Sequence, residues 1–142
     1  MVKAFFNNYV LVCSLVSWLV TQLLKILTGT YNNKDMSLIE IILANGGMPS
    51  SHSGAVAALC TASLLKYGAD SFQFAITAVF ALVVIQDASG VRNQVGKQAK
   101  VINQMFEDEP PNLKELIGHT PLQVAVGAAV GVLIAVAFWQ LY

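Results

Sequence analysis

The chain holds two histidines, and each stands at the start of an apolar run beside hydroxyl-bearing residues. His52 lies in the run Gly46-Gly47-Met48-Pro49-Ser50-Ser51-His52-Ser53. Gly and Pro punctuate that backbone, and Ser50 or Ser51 can cap the helix that follows. The unpaired N–H groups of a first helical turn form a site for a phosphate oxygen. A histidine there can donate a proton near neutral pH. Taken alone, the segment is equally well read as a serine-capped helix with an incidental histidine. His119 shifts that balance, because Thr120 fits an N-cap, Pro121 the first helical position, and Gln123 the far end of a capping box. Two such histidines, with Lys25 and Arg92 as cations, have the composition of a phosphate-handling site.

The elements that must carry these residues are membrane elements. Of 142 residues, 56% are hydrophobic and only 11% charged, against about a quarter charged in ordinary soluble domains. The length suits one domain over residues 1–142. Net charge is zero, so no nucleic-acid partner is expected. Cys13 and Cys60 sit in separate apolar runs without metal-ligand spacing, so neither a disulfide nor a metal site is expected of them. The first apolar run carries Lys25 and no small-residue cleavage signal, which marks it as a retained span.

Four spans can be drawn, at about 9–27, 54–67, 72–86 and 121–142, with Trp139 and Tyr142 as interfacial anchors of the last. The second is short for a hydrocarbon core of about 30 Å. Residues 37–44, interrupted by Glu40, are too few to cross and read as an interfacial or re-entrant helix. Val91, Val95, Ala99, Ile102 and Phe106 recur at helical spacing among polar residues, predicting an amphipathic helix along the membrane surface or over the site. The acidic run at 107–109 and two prolines end it as a solvated loop, and residues 113–117 add a further turn or two. The expected fold is an all-α polytopic membrane bundle of about four transmembrane helices plus interfacial helices.

Folding the spans up and down brings Lys25, His52, Asp87, Arg92 and His119 to one membrane face. Lys34, Lys97, Lys100 and Lys114 share that face, against Lys3 and Lys66 opposite. The positive-inside rule then makes the reactive face cytoplasmic in a multi-pass protein of the cell membrane. Each residue also has a plainer reading. Lys25 can snorkel from the end of its span. Asp87 and Arg92 can be a structural ion pair. The glycines of Gly127-Ala128-Ala129-Val130-Gly131 let helices approach closely, within the chain or between copies in a homo-oligomer.

The segments Gln22-x-x-Lys25, Gly46 to Ser53, Asp87-x-x-Gly90-Val91-Arg92 and Leu113-x-Glu115-x-x-Gly118-His119-Thr120-Pro121 resemble the divergent PAP2 family. These are small membrane proteins related to acid phosphatases and vanadium haloperoxidases. The likeness covers nearly the whole chain, with the motifs in family order. It implies a reduced PAP2-like bundle that needs no metal or other cofactor. By resemblance, Lys25, Ser50, Ser51 and Arg92 bind phosphate, His52 protonates the leaving oxygen, and His119 is the nucleophile that forms a phosphohistidine. Clustered cations and amides would then neutralise the developing charge.

Two departures bear on the chemistry. A long insertion separates Arg92 from His119 where the superfamily motif is compact, and position 123 is Gln where the superfamily has a carboxylate. Loss of charge at the analogous place in a serine-protease triad costs about 10⁴ in rate. Glu115 or Asp87 could supply the missing charge. The expected function is hydrolysis of a lipid or isoprenoid phosphate or pyrophosphate at the bilayer surface. The rival is a non-catalytic phosphate-lipid binder or transporter that keeps the cradle, and a third reading is a structural oligomer. A carboxylate within reach of His119 would separate the first two, and distant histidines would exclude the enzyme.

Overall fold

The structure is a computed structural model that describes residues 7–28, 46–106, 113–115 and 117–141. The helix expected at 37–44, the acidic run at 107–109, Lys3 and Lys34 lie outside the described residues.

Five helices order the described chain. Asn8 caps α1, Tyr9–Leu27, by accepting the Leu11 N–H. Tyr9, Cys13, Ser17, Thr21 and Lys25 recur every four residues and are buried, while Leu15, Leu19 and Leu23 on the other faces are exposed. Polar residues inward and leucines outward is the pattern of a helix whose surroundings are lipid. Ser50 caps α2, Ser51–Tyr67, by accepting the Ser53 N–H, and Gly68 ends it at φ 86°. Ser71 caps α3, Phe72–Ser89. Only Gly90 separates α3 from α4, Val91–Met105. The capping box predicted at Thr120 and Gln123 is present and opens α5, Pro121–Trp139.

The short second helix is the centre of the bundle. α2 packs against α1, α3 and α5, and its buried face is built from serine, glycine, alanine and valine. Among the described residues three helical stretches are long and apolar enough to cross a membrane: α1, α3 continued by α4, and α5. α2 differs from the other spans drawn in the sequence because its 17 residues are enclosed by protein and can afford hydroxyls. At its contact with α5, a Cβ on Gly127 would collide with the Ser50 carbonyl, and one on Gly131 with the Gly54 carbonyl. The two glycines are therefore occupied by close packing inside the chain.

The Tyr9 hydroxyl donates to the Ala135 carbonyl at 2.6 Å, and its ring lies 5.5 Å from that of Trp139. The start of α1 thus meets the end of α5, while the end of α1 meets the start of α2 through Lys25 and Ser51. This antiparallel order gathers the end of α1, the start of α2, the end of α3 and the start of α5 at one face.

On α4, Val91, Val95, Ile102 and Phe106 are exposed, and the buried positions are Gly96 and Ala99. Its apolar stripe, Ala99 apart, points away from the protein, as a helix lying along the membrane surface would place it, and its small residues press on the segment before His119. The further turn expected after the acidic run is not helical at its described residues. Asn103 holds that segment, donating to the Leu113 carbonyl at 2.9 Å and accepting the Leu113 N–H at 3.0 Å.

Candidate functional site

Gly46 and Gly47 adopt φ of 89° and 79°, left-handed backbone that favours residues without a Cβ. The cis Met48–Pro49 bond follows, and the Ser50 N–H donates to the Gln123 carbonyl at 3.0 Å, fastening the turn to the start of α5. Thr28 braces the turn from α1, its hydroxyl within reach of the Met48 carbonyl at 2.5 Å. Held this way, the Gly47 carbonyl lies 3.1 Å from Nδ1 of His119.

That contact fixes the His119 tautomer. A carbonyl oxygen only accepts, so Nδ1 carries the hydrogen and Nε2 carries the lone pair. His119 is 2% exposed, and its Nε2 is buried with no hydrogen-bond partner among the described residues. Its backbone N–H donates to the Ala88 carbonyl at 3.0 Å, tying the segment to the end of α3. Burial first, then the charges of Lys25 and His52, push the imidazole down to about 4, against the Gly47 carbonyl and Gln123 side chain that favour the charged ring. His119 is therefore a neutral imidazole at physiological pH.

The His52 ring lies 6.1 Å from the His119 ring, centroid to centroid. The two histidines are neighbours on one face, as the enzyme reading requires. Lys25 does not snorkel: it is wholly buried, and its Nζ donates to Ser51 Oγ at 3.3 Å. Burial first, then the charges of Arg92 and Lys25, push the His52 imidazole below its usual value, and the Asp87 carboxylate opposes them. Arg92 Nε donates to Asp87 Oδ2 at 2.5 Å, both side chains 40% exposed, so the ion pair of the plainer reading is formed beside the site.

Two candidates stand apart from this cluster. The Ser50 hydroxyl serves the cap of α2, accepting from the Ser53 N–H at 3.3 Å and the Ser53 hydroxyl at 2.9 Å. Ser51 is the serine whose hydroxyl meets the buried cation. Glu115 is exposed, and its carboxylate accepts from Asn103 Nδ2 at 2.9 Å. No carboxylate among the described residues hydrogen-bonds His119. The Gln123 side-chain oxygen accepts the Thr120 N–H at 2.9 Å in the capping box.

The groups that sequence reasoning missed are mostly backbone. The Gly47 and Ala88 carbonyls locate His119, and no side-chain pattern announces them. Gly96 and Gly118 are a similar case. A Cβ on Gly96 would strike the Glu115 carbonyl, and one on Gly118 the Asn93 backbone. The two glycines let α4 lie directly against the residues that lead into His119.

A neutral imidazole with an available lone pair, a second imidazole beside it, and a buried ammonium can attack a phosphoryl centre, protonate a leaving oxygen and hold anionic charge. The model of the Divergent PAP2 family matches residues 6–134. YuiD of Bacillus subtilis (strain 168), named an uncharacterized membrane protein, is 35% identical over 146 residues, covering 90% of this chain and 92% of YuiD. No solved structure matches. With its lipid-facing helices and a family match over most of its length, this chain is an integral membrane protein that belongs to the divergent PAP2 family.

Proposed function

We propose that the protein is a membrane phosphohydrolase that cleaves a lipid or isoprenoid phosphate or pyrophosphate through a phosphohistidine on His119. The observation that carries this reading is the pairing of the two rings at 6.1 Å with Nδ1 of His119 held by the Gly47 carbonyl. Nε2 attacks phosphorus, and the P–O bond to the leaving group breaks. That oxygen takes a proton from His52 in its imidazolium form; the neutral ring then draws a proton from water as the water attacks the phosphohistidine, restoring the imidazolium. Orthophosphate leaves, and both histidines return to their starting states. Lys25, the Ser51 hydroxyl and Arg92 oppose the charge on the phosphoryl oxygens. The site lies where helices end at one membrane face, so an amphiphile can leave its tail in lipid while its head group reaches His119. The lysines at that face support a cytoplasmic orientation in the cell membrane.

The rival reading, a phosphate-lipid binder or transporter without turnover, has an observation of its own. The partner of His119 Nδ1 is a neutral carbonyl, which orients the ring but stabilises a cationic phosphohistidine less than a carboxylate does. Phosphate release by purified protein from a panel of lipid and isoprenoid phosphates, beside His52→Ala and His119→Ala, decides between them. Release lost in both variants supports hydrolysis. Binding without release, weakened by Lys25→Ala, supports the carrier and ends the hydrolase reading.

A further inference from the structure

A cavity of about 490 Å³ opens on the α4 side of His119, between α4 and the segment that leads into α5. Its wall includes Lys97, Lys100, Asn93, Glu115, Gln123 and His119 itself. Lys25, Ser51 and His52 are not among the residues that line it. His119 thus stands between this cavity and the Lys25–Ser51–His52 cluster. Lys97 and Lys100 are three apart, so both ammonium groups leave the same side of α4. Gly96 holds that side against the Glu115 backbone. Among the described residues the one carboxylate in the wall, Glu115, is already hydrogen-bonded by Asn103. Among the described residues two cations therefore face one carboxylate that is partly satisfied, a lining that favours an anion. A water takes about 30 Å³ of liquid volume, so a phosphoryl group fits with its hydration.

We infer that this cavity is a second phosphoryl subsite, in which Lys97 and Lys100 make the protein select a diphosphate over a monophosphate. The inference rests on the phosphohydrolase reading for its substrate, but the subsite itself is a binding property. One phosphoryl group lies at His119 on the side of Lys25, Ser51 and His52, and the next lies in the cavity against Lys97 and Lys100. The diphosphate could be the free anion or the head group of an isoprenoid lipid.

The test measures binding of orthophosphate, inorganic pyrophosphate and farnesyl diphosphate to the full-length protein in detergent by calorimetry. Wild type is expected to bind pyrophosphate more tightly than orthophosphate. The double variant Lys97→Gln, Lys100→Gln should lose about tenfold in pyrophosphate affinity, from two exposed charges of up to about 1 kcal/mol each. Its orthophosphate affinity should be unchanged, and Lys97→Arg, Lys100→Arg should retain the preference. Lys66→Gln, at the opposite face, controls for net charge. A pyrophosphate preference that survives in the Gln variant overturns the subsite, as does equal loss of both anions. Farnesyl diphosphate binding more tightly than pyrophosphate, with the same lysine dependence, assigns the head group to a lipid, and equal binding assigns the free anion. If diphosphate is bound with this dependence but never cleaved, the hydrolase reading fails and the subsite stands.

Discussion

His119 Nδ1 and the Gly47 carbonyl oxygen meet at 3.1 Å, joining two segments 72 positions apart in the chain. The contact fixes the tautomer and the ring orientation, and it supplies no charge. Under the proposed mechanism, His119 held this way is ready to attack but weakly stabilised once it becomes cationic.

The pH dependence follows from that arrangement. With its pKa lowered from 6.5 to about 4, His119 resists protonation in the folded protein more than in the unfolded chain. Between those values the unfolded state binds more protons, so stability falls as pH drops from 6.5 toward 4 and gains nothing further from this group above 6.5. Thermal unfolding in detergent should show a lower Tm at pH 5 than at pH 7. His119→Gln should show a smaller drop across the same window. An identical drop in the variant would place the sensitivity elsewhere.

Lys25 and Ser51 form the cation–hydroxyl pair at the α1–α2 contact. Lys25→Met keeps the apolar stem in the bundle and removes the charge, so the fold should survive while phosphate affinity drops by at least tenfold. Ser51→Ala should cost less, and the double variant should cost less than the sum, with a coupling of about 0.5–3 kcal/mol. Strict additivity in a binding cycle would show that the two groups do not act together on the anion.

Gly118 tests how His119 is carried. A Cβ there meets the Asn93 and Arg92 backbone, so Gly118→Ala must push α4 and the His119 segment apart. Overpacking of this kind costs about 1–3 kcal/mol. Phosphate release should fall further than global unfolding explains, since the ring moves relative to His52 while most of the bundle stays folded. Full activity in a well-folded Gly118→Ala protein would show that the α4 contact does not position the nucleophile.

Glu115 distinguishes two roles. If it only tempers the cations around it, Glu115→Gln should raise pyrophosphate affinity by about threefold, as expected for one exposed charge interaction. A loss of phosphate release by several orders of magnitude would instead identify it as the carboxylate that serves His119 during turnover.

Much of this arrangement is legible in the chain. The two serine- and threonine-capped helix starts, with Pro121 at the first helical position, place both histidines from local chemistry alone, because caps depend on neighbouring residues. Counting spans up and down brings the reactive residues to one face. What stays hidden depends on how backbones meet. Nothing local reveals that Gly47 points a carbonyl at His119, or that Lys25 turns inward instead of snorkelling. The direction of α4 is hidden for a related reason. Its apolar periodicity marks a face but does not say whether protein or lipid covers it, and the decision falls to Gly96, whose missing Cβ lets the backbones touch.

The central claim is that His119 is the phosphoryl acceptor, and the most direct measurement is detection of phosphohistidine after an alkaline detergent quench. Purified protein would be mixed with an isoprenoid diphosphate labelled in its terminal phosphoryl group, quenched within one turnover, digested and mapped. The account predicts an acid-labile, alkali-stable phosphate on the peptide containing His119. It should be absent in His119→Ala and should accumulate in a His52→Ala variant if hydrolysis of the intermediate is slowed more than its formation. Substrate turnover with label never found on His119, at any quench time or in either variant, would contradict it.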